Sequence, residues 1–140
     1  MVAADRLGQK NGRGYYRYEK GDRKRYADPA VDALLAAERE RAGVAPGDPS
    51  DDEIVRRCVY ALVNEGARIL GEGVARSAAD IDTIWTNGYG FPKARGGPMR
   101  YAQEVGLASV LASIERFAES DAAFWTPAPR LIEAARNGAF

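Results

Sequence analysis

Residues 86–98 have the sequence TNGYGFPKARGGP, in which four glycines and two prolines separate two stretches of helical periodicity. Glycine lowers helix stability, so such a run is either a built turn or a place where backbone comes close to another group. The simplest interpretation is a loop over residues 88–98 that sets the angle between two helices, with Tyr89 and Phe91 packed inward. Arg95 and Gly97 are further candidates for structural or interface residues in this loop.

The segments on both sides of the loop have the signals of amphipathic helices. Capping-box patterns open two of them, at Ser50 with Glu53 and at Ser77 with Asp80. Downstream, proline and glycine signals and apolar spacing predict three more helices, over residues 98–106, 107–117 and 128–138. No segment alternates with period two for long enough to form a convincing strand, so the sequence predicts an all-α fold.

Apolar side chains at helical spacing predict which faces these helices bury. The long helix that begins at Ser50 carries a wide apolar stripe, formed by Ile54, Val55, Cys58, Val59, Leu62, Val63, Ile69 and Leu70. The next helix is expected to turn Ile81, Ile84 and Trp85 inward. Trp85 and Trp125 are interpreted as core or interface anchors and not as groups that stack on a cofactor.

Two polar residues interrupt the apolar stripe of the long helix. Asn64 and Glu65 are expected to form a buried polar pair at a domain interface, where hydrogen bonds between helices would satisfy them. Catalysis is the alternative role for this pair.

Composition excludes several classes of function. The chain has 140 residues, of which 46% are hydrophobic, enough for a domain with its own core. The formal net charge of zero argues against a nucleic-acid or membrane-surface role for the whole chain. The absence of histidine excludes Ser-His-Asp and Cys-His pairs and an ordinary zinc site. We therefore expect no catalytic, cofactor-binding or metal-binding residue in this chain.

Cys58 is the only cysteine, so no disulfide can form within the chain. This favours a cytoplasmic or similarly reducing compartment, and no apolar run approaches the roughly 20 residues that span a bilayer. Because Cys58 lies on the apolar stripe, we expect a packed, unreactive thiol.

The first segment of the chain differs from the rest in charge. Residues 6–26 contain eight basic and two acidic side chains, with glycines and tyrosines interleaved among them. The pattern predicts turns, with a short extended piece at residues 15–18. We interpret it as a segment whose tyrosines dock on a partner surface while the charges stay solvated, and RNA binding is the alternative.

A helix follows this segment before the predicted domain boundary. Asp28 and Pro29 have the types expected at a helix start, and Gly43 stops the helix. Its buried face is predicted to comprise Val31, Leu34 and Leu35. The Pro/Gly-rich residues 45–49 indicate a boundary between residues 1–49 and residues 50–140.

Two groups of motifs carry a family resemblance. Residues 6–18, RLGQKNGRGYYRY, resemble the G-x-K-x-G-x-G-[FY]-Y-x-Y signature that ends the C-terminal domain of 3-hydroxyacyl-CoA dehydrogenases. From Asp52 to Leu107, the successive motifs EIVRR, VNE, ILGEG, DID, GYGFP and GGP resemble the opening helices and loop of that domain.

The order of these motifs is similar to that in the multifunctional fatty-acid β-oxidation proteins, which carry two tandem copies of the domain. The end signature comes first and a fresh copy follows. The resemblance therefore implies the tail of a preceding copy and a linker helix over residues 1–49, and a second helical domain over residues 50–140. The chain would be a C-terminal piece of such a protein.

The same resemblance implies a copy without catalysis. The family oxidises 3-hydroxyacyl-CoA with NAD, using a His-Glu pair on an NAD-binding domain, and this chain has neither that domain nor a histidine. The catalytic copy also contributes an Asn in an I-V-N-R pattern, where this chain has Arg56. Arginine cannot accept a hydrogen bond and stays charged. We therefore expect the chain alone to be inactive.

The resemblance implies a packing role for this domain. The expected partners are the preceding helical domain or the NAD-binding domain of the parent enzyme, a second copy of the chain through self-association, and acyl-CoA as the parent's substrate. No nucleic-acid or membrane partner is expected. For the loop, the functional alternative is contact of Lys93, Arg95 and Arg100 with the phosphates of CoA. For the chain, the alternative is a stand-alone interaction module that pairs with a separate dehydrogenase chain.

Overall fold

The structure, a computed structural model, describes residues 1–22 and 24–140. Contacts divide the chain into two compact units, Met1–Asp48 and Pro49–Phe140. Regular structure in the described residues is helical, apart from three isolated antiparallel bridges in the first unit. The all-α prediction is confirmed. Arg23, one of the eight basic residues of the first segment, lies outside the described residues.

The first unit consists of turns followed by one α-helix, α1, over Pro29–Ala42. A 3-10 helix covers Val2–Ala4, and the isolated bridges pair Gly8 with Arg13, Arg13 with Arg17, and Arg17 with Tyr26. Asp28 caps α1 as predicted, because its Oδ1 accepts from the Ala30 amide at 3.1 Å. Of the expected apolar face of α1, Val31 is buried, whereas Leu34 and Leu35 are only half-buried.

The second unit is a helical domain whose helix starts agree with the sequence signals. The Ser50 hydroxyl accepts from the Glu53 amide at 3.2 Å, and the Ser77 hydroxyl accepts from the Asp80 amide at 3.1 Å. The elements are α2 Asp51–Gly71, α3 Ala78–Gly88, a 3-10 helix Lys93–Arg95, α4 Pro98–Val105, α5 Leu107–Ala118, α6 Ala122–Trp125 and α7 Pro129–Asn137. The four-residue α6 is too short to show a helical period and was not predicted.

One core holds the second unit together. Helix α2 packs against α4 and α7, and α5 packs against α6 and α7. Trp125 is buried as predicted, with its ring 4.9 Å from that of Phe117. A fully buried large apolar side chain stabilises the fold by about 1.5–3 kcal/mol. The core cluster comprises Tyr60, Val63, Ala67, Ala102, Leu107, Val110, Ile114, Phe117, Trp125, Ala128, Leu131 and Ala134.

The predicted apolar stripe of α2 is only partly covered. Ile54 is 46% exposed and Val55 is 51% exposed, and Cys58 is also exposed, so the prediction of a packed thiol is wrong. The physical reason is that α4 and α7 contact the opposite side of α2. On α3, Ile81 is buried and Trp85 is half-buried, but Ile84 is 57% exposed, which contradicts its predicted inward position.

A carboxylate on α3 fixes the start of α4. The N-cap of α4 is Gly97, which has no side chain to accept from the first-turn amides. Asp82 supplies the acceptors: Oδ1 accepts from the Met99 amide at 2.8 Å, and Oδ2 accepts from the Arg100 amide at 3.0 Å. Gly97 has a φ of 119°, and a Cβ there would collide with the Asp82 side chain. Glycine at this position is therefore required by both conformation and space.

Replacing Asp82 tests this cap. Asp82→Ala removes the acceptors for two amides, so we expect the free energy of unfolding to fall by about 0.5–2 kcal/mol, the usual range for loss of a cap. Asp82→Asn keeps one oxygen acceptor and should fall between the wild type and Asp82→Ala. Glu115→Ala, which removes an exposed acid from α5, is the control. Urea denaturation measures all four proteins, and equal stability of Asp82→Ala and the control would contradict the assignment.

Candidate functional site

The glycine-rich run begins inside a helix. Helix α3 continues through Gly88, so residues 86–88 are helical, and the connection to α4 is shorter than the sequence indicated. Gly90 and Gly96 have φ angles of 73° and 72°, in the left-handed region that glycine adopts without strain. The chain thus turns at Gly90 and Gly96 between α3 and α4.

The aromatic residues of this loop do not both pack inward. Tyr89 is 70% exposed, which contradicts the predicted inward position, and its ring lies 5.0 Å from that of Trp85. Phe91 is half-buried, and its amide donates to the Trp85 carbonyl at 3.0 Å. Tyr89 follows the last residue of α3, so its side chain leaves the helix where no neighbouring element covers it.

The three cations near the loop have different surroundings. Lys93 and Arg95 are exposed, and the Arg95 guanidinium lies 5.7 Å from the centroid of the Tyr101 ring. Arg100 is also exposed, and its Nε donates to Glu104 at 3.1 Å. The Glu104 carboxylate therefore offsets part of the Arg100 charge. The geometry of these side chains is that of a solvated surface.

Asp82, beside Arg100, was not predicted as an important residue. Burial raises its pKa above the ordinary value, although the hydrogen bonds from Met99 and Arg100 act in the opposite direction. The signal that the sequence offered was Gly97 at a helix start, because a glycine N-cap leaves first-turn amides that need an acceptor from elsewhere.

Asn64 binds the loop that precedes α7. Its side chain is buried, its Nδ2 donates to the Thr126 carbonyl at 2.9 Å, and its Oδ1 accepts from the Ala128 amide at 2.8 Å. Glu65 is instead exposed, with an oxygen 3.7 Å from Arg68 Nε. Within this chain the two side chains are therefore not buried together, since adjacent helical residues point in directions about 100° apart, and burial of the pair at a domain interface stays a prediction.

Arg56 lies on the first turns of α2. It forms an ion pair with Asp52 and lines a cavity of about 460 Å³ together with Arg57 and Arg116. Arg57 lies 4.3 Å from the centroid of the Phe117 ring and donates to Glu53 at 2.8 Å. Guanidinium groups stay protonated and cannot relay protons, so this cavity does not provide a general acid or base through its arginines.

Two exposed apolar surfaces remain on the second unit. The first, the α2 face, comprises Ile54, Val55 and Cys58, in which Cys58 lies four residues after Ile54 and three after Val55, on the same side of the helix. The second, the α3 groove, has a volume of about 580 Å³ and is lined mainly by Ile69, Val74, Ile84 and Trp85. Contiguous exposed apolar surface is typical of interaction sites.

Metal binding and membrane insertion find no support in the described part of the chain. Residues 1–22 and 24–140 contain no cluster of three or more His, Cys, Asp or Glu side chains placed to hold a metal ion. None of the helices described there has the length and apolar character needed to cross a bilayer.

Comparisons with known proteins agree with the motifs. A family model described as "3-hydroxyacyl-CoA dehydrogenase, C-terminal domain" matches residues 54–139. The chain is 46% identical over 136 residues to the peroxisomal bifunctional enzyme of Danio rerio. This match covers 95% of the chain and 19% of that relative. The peroxisomal bifunctional enzymes of Pongo abelii and Homo sapiens are 46% and 44% identical over 113 residues, covering 80% of this chain and 16% of each relative. The chain thus spans less than a fifth of these relatives.

NAD, which the family implies, does not fit the residues described. A dinucleotide binds at the carboxyl ends of parallel strands, beside a glycine-rich turn that opens a helix. The described residues form helices and isolated bridges without a βαβ unit. No chemical step through NAD is therefore assigned to this chain.

Asn64 provides the sharpest mutational test of the site. Asn64→Leu leaves the Thr126 carbonyl and the Ala128 amide unpaired, so the free energy of unfolding should fall by about 1–3 kcal/mol per unsatisfied group. Glu65→Leu, on the adjacent exposed position, is the matched control and should stay within about 0.5 kcal/mol of the wild type. Thermal and urea denaturation report both changes. An equal loss of stability in the two variants would contradict the role assigned to the amide.

Proposed function

Because the chain belongs to the 3-hydroxyacyl-CoA dehydrogenase family, through the C-terminal domain of that family, we propose that its second unit is a non-catalytic packing domain. The parent enzyme would be an NAD-dependent 3-hydroxyacyl-CoA dehydrogenase of the multifunctional β-oxidation type. In this proposal NAD and acyl-CoA bind other parts of the parent, and the helical unit covers a neighbouring domain.

The observation that carries this proposal is the uncovered α2 face. Three apolar or weakly polar side chains are exposed on the longest helix of the unit, while the polar residues Asn64 and Asp82 are engaged in holding loops. Burial of such a face against a second helical domain would remove its apolar area from water. We propose the preceding helical domain as the partner, with the first unit as the tail of that preceding copy.

Two alternatives use the same surface. In one, a separate dehydrogenase chain binds the α2 face, so that this chain acts as a stand-alone interaction module. In the other, a second copy of the chain covers the face by self-association. In both alternatives the α2 face is still the binding surface, and only the partner molecule differs from that of the first proposal.

The roles of the loop and the location belong to the same proposal. Lys93, Arg95 and Arg100 are the residues we propose for contact with CoA phosphates, as the functional alternative to a purely structural loop. We propose a cytoplasmic location. The names of the relatives, which describe peroxisomal proteins, make the peroxisome the alternative. Imaging of a fluorescent fusion in the source cells separates a diffuse signal from a punctate one.

The non-catalytic role has a direct kinetic test. The purified chain, incubated with NAD and 3-hydroxybutyryl-CoA, should form no NADH, since it has no histidine and carries Arg56 in place of the family's asparagine. Absorbance at the NADH band measures the product. Turnover above that of a heat-unfolded sample would contradict the proposal.

The packing role is tested by changing the α2 face. The probe is the Danio rerio relative with its matched segment deleted, and calorimetry measures its binding to this chain. Val55→Lys loses the burial of a valine, about 1.5–3 kcal/mol, which corresponds to roughly ten- to a hundredfold weaker binding. Lysine at this position lies four residues after Asp51 and is compatible with the helix.

A matched control and sedimentation complete this test. Val44→Lys changes a valine that is 58% exposed and lies outside the second unit, and it should bind the probe as the wild type does. Sedimentation at rising concentration distinguishes self-association, which Val55→Lys should also weaken. Equal affinities of Val55→Lys and Val44→Lys for the probe would overturn the assignment of the α2 face.

A further inference from the structure

The first unit has a defined polar framework and almost no core. Among residues 1–22 and 24–48, only Gly14 and Val31 are buried. A segment of this length usually needs a hydrophobic core, a disulfide or a metal to hold its structure. Its sequence contains no cysteine or histidine, so neither of the usual staples can compensate.

Polar contacts nevertheless connect the turns of this segment to each other and to the start of α1. Arg6 is largely buried, donates through Nε to the Gly14 carbonyl at 2.9 Å, and forms an ion pair with Asp28. The Arg6 guanidinium holds the pKa of Asp28 below its ordinary value. Gly14 also approaches Gly8 so closely that a Cβ on Gly14 would lie 2.8 Å from the Gly8 Cα. The close approach of the two backbones therefore favours glycine at position 14.

Apolar side chains project from this framework into solvent. Leu7 is 45% exposed, Tyr15 is 62% exposed and Tyr16 is 41% exposed. Arg25 lies 5.4 Å from the centroid of the Tyr16 ring, which restrains that ring by a cation–π contact. Tyrosine brings a large contact area at a low cost in side-chain entropy, which suits a binding surface. We name Leu7, Tyr15 and Tyr16 the tail surface.

Basic side chains outnumber acidic ones in the segment that carries the tail surface, although Arg13 and Arg17 form ion pairs with Asp5 and Glu19. Residues 6–26 carry eight basic and two acidic side chains, although the whole chain has a formal net charge of zero. Lys10 and Lys20 are exposed beside the turns that form the tail surface. A positive surface with apolar anchors is complementary to an acidic surface with apolar recesses.

We infer that the tail surface docks on an acidic protein surface, to which Tyr15 and Tyr16 supply the anchors and the surrounding lysines and arginines supply attraction. A protein is favoured over RNA because the structure shows a turn closed by a partly buried ion pair, and because stacking on bases would compete with the Arg25 contact at Tyr16. The choice of partner rests on the proposed function, since the docking surface is assigned to the remainder of the parent enzyme.

The same deletion probe tests this inference. Tyr15→Ser together with Tyr16→Ser should weaken binding of the full chain to the probe by at least about tenfold, whereas Tyr15→Phe should bind as the wild type does. Lys10→Glu with Lys20→Glu should also weaken binding, and the wild-type affinity should fall as salt is raised. The control is Phe124→Ser, which removes an aromatic residue that is 60% exposed on the second unit.

The variants separate the failure of this inference from that of the proposed function. Unchanged binding of the tyrosine double variant, with weaker binding of Val55→Lys, would overturn the inference and leave the proposed function standing. Weaker binding of the tyrosine double variant, with unchanged binding of Val55→Lys, would support the inference and overturn the assignment of the α2 face as the binding surface. Binding of a single-stranded RNA 20-mer that depends on the same tyrosines would overturn the assignment to a protein partner.

Hydrogen exchange of the full chain gives an independent measurement. Amides of residues 7–18 should exchange rapidly in the chain alone, because the unit has little buried area to protect them. They should become protected when the deletion probe is added. Protection that is already complete in the free chain, or that does not change with the probe, would overturn the inference.

Discussion

The buried amide of Asn64 is the interaction on which the position of the last helix depends. It pairs with the Thr126 carbonyl and the Ala128 amide, the two groups that flank Pro127. Proline has no N–H, so the backbone at this point cannot be held by a continuous ladder of hydrogen bonds. The amide on α2 replaces that ladder and ties the start of α7 to the core, to which α7 then supplies Leu131 and Ala134.

The connection between α3 and α4 follows the same principle. Asp82 on α3 binds two first-turn amides of α4, and Gly97 leaves the space for its carboxyl group. In both places a side chain on one helix satisfies the backbone of the next helix start. The polar groups of α2 and α3 that point inward are therefore used for architecture, and the apolar side chains of the α2 face remain available to a partner.

Helix positions could be predicted from the sequence because their signals are local. The capping residues Ser50 and Ser77 act within one turn of their own helix, and both were identified correctly. The role of Asp82 depends on a residue 17 positions away in sequence, so Gly97 at the helix start indicates that an acceptor is needed but not which residue supplies it. The prediction of which side chains are buried was wrong at two positions for a related reason. Cys58 and Ile84 have the right spacing for a buried face, but spacing does not say whether another helix covers it.

The family assignment and the structure together describe a helical domain with exposed apolar side chains on α2. Arg56, on the first turns of α2, is engaged in an ion pair with Asp52. Asn64 and Asp82 anchor the loop before α7 and the start of α4 within the same unit.

Cys58 reports on this face without any mutation, because it is the only cysteine and lies exposed between Val55 and Leu62 on α2. The most direct measurement is its rate of alkylation by N-ethylmaleimide, at low concentration of the chain, with and without the deletion probe. The thiol should react readily in the free chain and become strongly protected in the complex. An alkylation rate that stays the same when the chain is saturated with the probe would contradict the claim that this helical domain packs through its α2 face.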